Sequence, residues 1–157
     1  MASALHLDDK GILITCTHCG QTNRVAFDKV GHTARCGKCK EEVRADAAPM
    51  EVSSTADFDR LIAHSVVPVV VDYWAPWCGP CRSVAPELEK VARRAEGRYL
   101  VVKVNTDALS ELGQRHGIRS IPTLAVFSGG REVQRTAGAR PAADIEAFIA
   151  QSTAARS

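Results

Sequence analysis

The chain has 157 residues, room for one ordinary domain of about 100 to 200 residues and a small appendage. Apolar residues make up 45% and charged residues 24%, with the signs interspersed; 20 Lys and Arg against 18 Asp and Glu leave a formal charge of +2. That balance argues against steering toward nucleic acid or a membrane surface by bulk charge, and no apolar run reaches transmembrane length.

The amino-terminal stretch MASALHLDDKGILITC has no basic segment leading into an apolar core, so no secretory signal is read there and a reduced, cytoplasmic compartment is expected. In that setting six cysteines point to metal or catalysis rather than to a disulfide framework. They fall into three Cys-x-x-Cys pairs.

Residues 1–48 hold four of the cysteines, few large apolar residues and many turn formers, and are not expected to build a core unaided. Cys16-Thr-His-Cys19, sixteen residues, then Cys36-Gly-Lys-Cys39 matches four-cysteine zinc spacing. Four thiolates suit one tetrahedral Zn2+ and leave no open position, so the predicted site is structural. Gly20 and Gly37 are expected to relieve the two knuckles. Local disulfides or free thiols are the bland alternative, and His18 or His32 could stand in for a sulfur. Arg24, Lys29, Arg35, Lys38 and Lys40 are read as a charged surface rather than a nucleic-acid site.

Residues 45 to 50 (ADAAPM) read as a linker, with Pro49 removing a backbone donor, and divide the chain into 1–48 and 49–157. Ser54 followed by Asp57 predicts a capped helix carrying Phe58, Leu61 and Ile62. VVPVVVDYW, residues 66 to 74, predicts a strand covered on both faces. After the third cysteine pair comes a long helix with Val84, Leu88, Val91 and Ala92 on one face, Pro86 as a kink and Gly97 as its stop. Residues 99 to 105 repeat the buried-strand pattern, and a short helix ends near Gly117, with His64 and His116 read as surface residues near helix ends. PTLAVF and REVQRTAG flank Ser128-Gly129-Gly130 as a hairpin, and Pro141 opens a last helix with Ile145, Phe148 and Ile149. Helix-linked strands followed by a hairpin predict an α/β fold, a mixed sheet flanked by helices.

Cys78-Gly-Pro-Cys81 differs from the other pairs. Pro80 offers no amide to a metal knuckle. The pair follows a buried strand and opens a helix, where unpaired N–H groups and the helix dipole favour a negative sulfur. A lowered pKa makes Cys78 the nucleophile of thiol-disulfide exchange, and Cys81, expected to be the more enclosed, resolves the mixed disulfide. Asp72, ringed by valines and aromatics, is expected to have a raised pKa and to act as general base for Cys81, with Lys103 as its charge partner. The bland reading of Asp72 and Lys103 is a buried ion pair without chemical duty.

Around WAPWCGPC the sequence resembles the thioredoxin family, over about residues 50 to 157. The likeness rests on Asp72, Trp74, Trp77, Cys78, Gly79, Pro80, Cys81, Pro86, Lys103, the run GIRSIPT at 117 to 123, and Gly138. It implies a thioredoxin fold, a cis Ile121-Pro122 bond, and an apolar docking surface from Trp77, Gly79, Pro80, Ile121, Pro122 and Gly138. Pro76, Arg82 and Ser120 depart from common family residues. The CTHC and CGKC pairs resemble the zinc-bearing bacterial branch, the thioredoxin 2 type. Membership there implies a protein-disulfide reductase with a redox-active Cys78–Cys81 disulfide and no tightly bound organic cofactor, recharged by NADPH-dependent thioredoxin reductase and acting on disulfide-bearing client proteins. The rival from another class is a zinc-ribbon and thioredoxin-like binding or redox-sensing module.

Overall fold

The structure, a computed structural model, describes residues 3–45 and 47–154. The chain opens with β1 (Ser3–Ala4), a hairpin of β2 (Gly11–Thr15) and β3 (Thr22–Ala26), and a smaller one of β4 (Ala34–Arg35) and β5 (Glu42–Val43). There follow β6 (Met50–Glu51), α1 (Thr55–His64), β7 (Val69–Trp74), α2 (Gly79–Arg94), β8 (Leu100–Asn105), α3 (Ser110–Arg115), β9 (Thr123–Ser128), β10 (Arg131–Ala137) and α4 (Ala142–Ala154). Six strands form one mixed sheet in the order β1-β6-β8-β7-β9-β10. Strands β7 and β8 run parallel, as a helical crossover through α2 requires, while β9 is antiparallel to both β7 and β10. The β9–β10 turn is Gly129-Gly130, with φ of +64° and +84°, the left-handed backbone that a two-residue hairpin turn needs.

Side chains of a strand alternate between faces, and β7 shows what that does here. Val70 packs with Val101, Leu124 and Val126 beneath Val84, Leu88 and Val91 of α2 and Ile145 and Ile149 of α4. Val69, Val71 and Tyr73 turn the other way, against Phe58 and Leu61 of α1 and Leu112 of α3. Asp72 lies on the α2 side by this alternation, in lateral register with Lys103 of β8. Ser54 caps α1, its hydroxyl oxygen accepting from the Asp57 amide at 3.1 Å.

The amino-terminal segment is built into this core. Strand β1 pairs with β6 at the edge of the sheet, and Leu5, Ile12, Val25, Phe27 and Val30 join the cluster that holds Phe58 and Leu61. Leu5 and Ile12 are fully buried, and full burial of such a side chain is worth about 1.5–3 kcal/mol. Phe27 stacks on His64 at the end of α1, with ring centroids 5.2 Å apart. Gly31 meets Gly97 so closely that a Cβ on either would run into the carbonyl of the other, and Val67 lies beside them. These contacts gather before β7 begins and after α2 ends, whereas Cys78 follows the far end of β7.

Several expectations are corrected. Of the residues read as linker, Ala45 and Met50 are core members and Met50 is in β6, because their apolar side chains find a buried surface; Asp46 lies outside the described residues. Strand β7 starts at Val69, leaving Val66 60% exposed. Helix α2 ends at Arg94, and the chain turns through Glu96 and Gly97 in left-handed conformations. His116 does end α3, as its C-cap, but it is half-buried rather than open to solvent: its ring sits among Phe58, Tyr73 and Phe127, and burial lowers its pKa.

Candidate active site and metal centre

Cys78 and Cys81 are joined as a disulfide across the first turn of α2. Cys78 is the helix N-cap, and its sulfur accepts the Cys81 amide at 3.2 Å, one of the donors that a helix start leaves without a backbone partner. The two residues are equally enclosed, 3% and 4% exposed, rather than Cys81 being the deeper. The approach to them is lined by the Ile121 carbonyl, 3.8 Å from the Cys78 sulfur. The Ile121-Pro122 bond is cis, and the Pro122 carbonyl accepts the Gly138 amide at 2.9 Å, which brings Ile121, Pro122 and Gly138 together.

Trp77, 67% exposed, borders a groove of about 180 Å³ with Thr106, Ile118, Arg119, Ser120 and Ile121. Gly79 and Pro80 are exposed in the first turn of α2. Two features were not foreseen. The Trp77 indole donates to Asp107 at 3.0 Å, which fixes the ring over the groove. Arg82 donates to the Pro76 carbonyl at 2.8 Å, so two of the departures from the common family pattern touch each other.

Asp72 is 1% exposed and neither carboxylate oxygen has a hydrogen-bond partner among the described residues. Burial pushes its pKa up to about 7; Lys103 opposes the rise and Glu51 adds to it. The Lys103 ammonium sits 4.5 Å from the centroid of the Trp74 ring, and the Trp74 indole donates to Glu51 at 3.1 Å.

The other four cysteines converge. Cys16, Cys19, Cys36 and Cys39 place their sulfurs within 4.8 Å of one another, with Cys16–Cys39 at 3.6 Å and Cys19–Cys36 at 3.5 Å. Zn–S bonds of about 2.3 Å in a tetrahedron put sulfurs a little under 4 Å apart, so the set fits the ion. The charge pattern fits as well. The Cys39 amide above all draws Cys36 down to about 6, whereas Cys39, despite the Glu41 amide, is pushed up to about 12 by burial and the three neighbouring sulfurs. Four packed sulfurs resist ionising together unless a cation joins them.

Each knuckle closes with an amide returning to its first cysteine, Gly20 to Cys16 at 2.9 Å and Lys40 to Cys36 at 3.0 Å. The left-handed residues are therefore Gly20 and Lys40, with φ of +80° and +67°, and not Gly37. Lys40 is held there by its ammonium, which donates to the Gly37 carbonyl at 3.0 Å. Asn23 on β3 accepts the Gly37 amide at 2.9 Å and ties one knuckle to the other.

Comparison with known proteins accords with both sites. The profile described as Thioredoxin matches residues 49–151, and that described as Thioredoxin 2, N-terminal, matches residues 15–41. "Thioredoxin 1" of Nostoc sp. is 50% identical over 95 residues, 60% of this chain and 87% of that one. "Thioredoxin C-3" of Corynebacterium nephridii is 34% identical over 141 residues, 89% of this chain and 94% of that one. Among solved structures, an N21Q mutant thioredoxin from Halobacterium salinarum aligns with a TM-score of 0.64 at 26% identity, over 71% of this chain and 96% of that one. No helix among the described residues is long and apolar enough to cross a membrane. A disulfide capping the helix that follows a central strand, on a sheet of this topology and in a sequence so matched, places the chain in the thioredoxin family of thiol-disulfide oxidoreductases.

Proposed function

We propose that Cys78 is the nucleophile of a protein-disulfide reductase and Cys81 its resolving thiol. The carrying observation is the Cys78 sulfur at the N-cap of α2, where amides and the helix dipole stabilise negative charge once the disulfide is reduced. The Cys78 thiolate attacks a client disulfide, forming a mixed disulfide and releasing one client thiolate. Asp72, on the sheet face beneath α2, takes the proton of Cys81 through water; the Cys81 thiolate then attacks the Cys78 sulfur and displaces the second client thiolate. Two electrons pass to the client, whose thiolates take up protons, and Cys78–Cys81 becomes the disulfide. Lys103 moderates the cost of charge on Asp72. Trp77, Gly79, Pro80, Ile121, Pro122 and Gly138 form the surface on which an extended client segment docks.

The regenerating reductant in this reading is NADPH-dependent thioredoxin reductase, in the cytoplasm. Cys16, Cys19, Cys36 and Cys39 hold one structural Zn2+, and residues 1–48 and 49–157 are respectively the metal-holding and the redox unit. A Cys81→Ser variant incubated with a disulfide-bonded peptide is expected to accumulate a peptide adduct on Cys78, seen by mass spectrometry. An adduct on any other cysteine, or full turnover by a Cys78→Ser variant, sinks the assignment.

A further inference from the structure

Three neighbouring strands place Glu51, Lys103 and Asp72 in one lateral row. Glu51 of β6 is the register partner of Lys103 on β8, and Lys103 is the register partner of Asp72 on β7. Partners in register lie on the same face. Trp74, two residues beyond Asp72 on that face, connects the outer members: its indole N–H donates to Glu51 at 3.1 Å, and its ring carries the Lys103 ammonium at 4.5 Å. Asp72 meets no hydrogen-bond donor among the described residues.

We propose that Glu51 is a positioning residue for the disulfide-exchange reaction, acting on Asp72 through Lys103 and Trp74. Its carboxylate anchors the indole on which the ammonium rests and competes with Asp72 for that ammonium. Half-buried, Glu51 is itself subject first to burial, which raises its pKa, against the indole bond and Lys103, which lower it. The charged groups that bear on the row are Asp72 from β7, Lys103 from β8, Glu51 from β6 and Glu89 from α2, whose carboxylate also interacts with Lys103. Removing the Glu51 charge leaves more of the ammonium's field to Asp72 and removes a repulsion, and both changes ease the ionisation of Asp72.

The inference rests on Asp72 acting as base for Cys81, and the test separates the two. Single-turnover reduction of a disulfide-bonded peptide is followed across the pH range around 7 for wild type, Asp72→Asn, Glu51→Gln and Glu51→Asp. Asp72→Asn is expected to remove the limb of the profile that Asp72 causes; retention of that limb overturns the role of Asp72. Glu51→Gln, which still offers an oxygen to the Trp74 indole, is expected to keep the limb and move it to lower pH, while Glu51→Asp holds it near the wild-type position. If Asp72→Asn removes the limb and Glu51→Gln leaves it in place, Glu51 has no positioning role. Should Glu51→Gln fail to fold, Trp74→Phe loses the anchor with every charge kept: a displaced limb supports the inference and a coincident one overturns it.

Discussion

The amide of Cys81 points at the sulfur of Cys78 over 3.2 Å, so the residue that closes the redox disulfide also supplies the donor that caps its partner. Reduction breaks the S–S bond and leaves this donor facing the Cys78 sulfur, where a thiolate gains more from it than a thiol does. Replacing Cys78 with Ser is expected to lower the rate of client reduction by on the order of 10³-fold or more, as loss of a nucleophile does. A reductase assay with matched folding controls checks it, and a loss of only a fewfold contradicts the nucleophile's identity.

Asp72 costs the fold stability wherever it is charged. Its pKa is about 7 in the folded protein and about 3.9 in an unfolded chain. Between those values the folded state binds the extra proton, so stability falls as pH rises through that window and levels off above it. Asp72→Asn is therefore expected to be more stable than wild type at alkaline pH, by up to about 4 kcal/mol from three units at about 1.4 each, with the gap closing toward acid pH. Chemical denaturation of both proteins on either side of the window measures this. Equal stability above neutral pH contradicts it.

Zinc removal is expected to be felt throughout the chain. Val25, Phe27 and Val30 follow the first knuckle and pack in the same cluster as Phe58, Leu61 and Phe127. Chelation, or Cys16→Ser, is expected to release one Zn2+ per chain and to lower the melting temperature in a single shared transition. A loss of about 3 kcal/mol corresponds to roughly 6–12 °C for a chain of this size. Calorimetry paired with metal analysis reads both quantities; an unchanged main transition after metal loss means that the segments fold independently.

Gly31 and Gly97 require each other's lack of a side chain. Both have positive φ, +96° and +83°, and a Cβ on either overlaps the other's backbone. Either alanine substitution is expected to cost about 2–4 kcal/mol, combining left-handed strain with overpacking. Gly37→Ala, where the nearest atom outside its chain neighbours is 3.8 Å away, is expected to stay within about 0.5 kcal/mol of wild type. Denaturant midpoints rank the three, and a Gly31 or Gly97 variant as stable as Gly37→Ala removes the close-contact argument.

Local pattern was enough for what local chemistry dictates. The continuous apolar run at β7 and β8, the Ser54 cap, the glycine hairpin and the spacing of three cysteine pairs are each written within a few residues, because helices, strands and knuckles close through short-range hydrogen bonds. Buried Asp72 was legible for the same reason, as one charge in an apolar strand. Only the tertiary structure could decide what depends on neighbours distant in the chain. Met50 and Ala45 look like linker until a sheet edge and a core are there to take them, and His116, legible as a helix-end residue, gains its ring contacts with Phe58, Tyr73 and Phe127 only once those elements pack. The pairing of Arg82 with Pro76 and of Trp77 with Asp107, and the row Glu51, Lys103, Asp72, likewise exist only once turns and strand register bring those side chains together. Residue type and spacing thus determined which chemistry this chain carries, while register and packing decided which groups stand close enough to tune it, since electrostatic influence follows distance in space and not position in sequence.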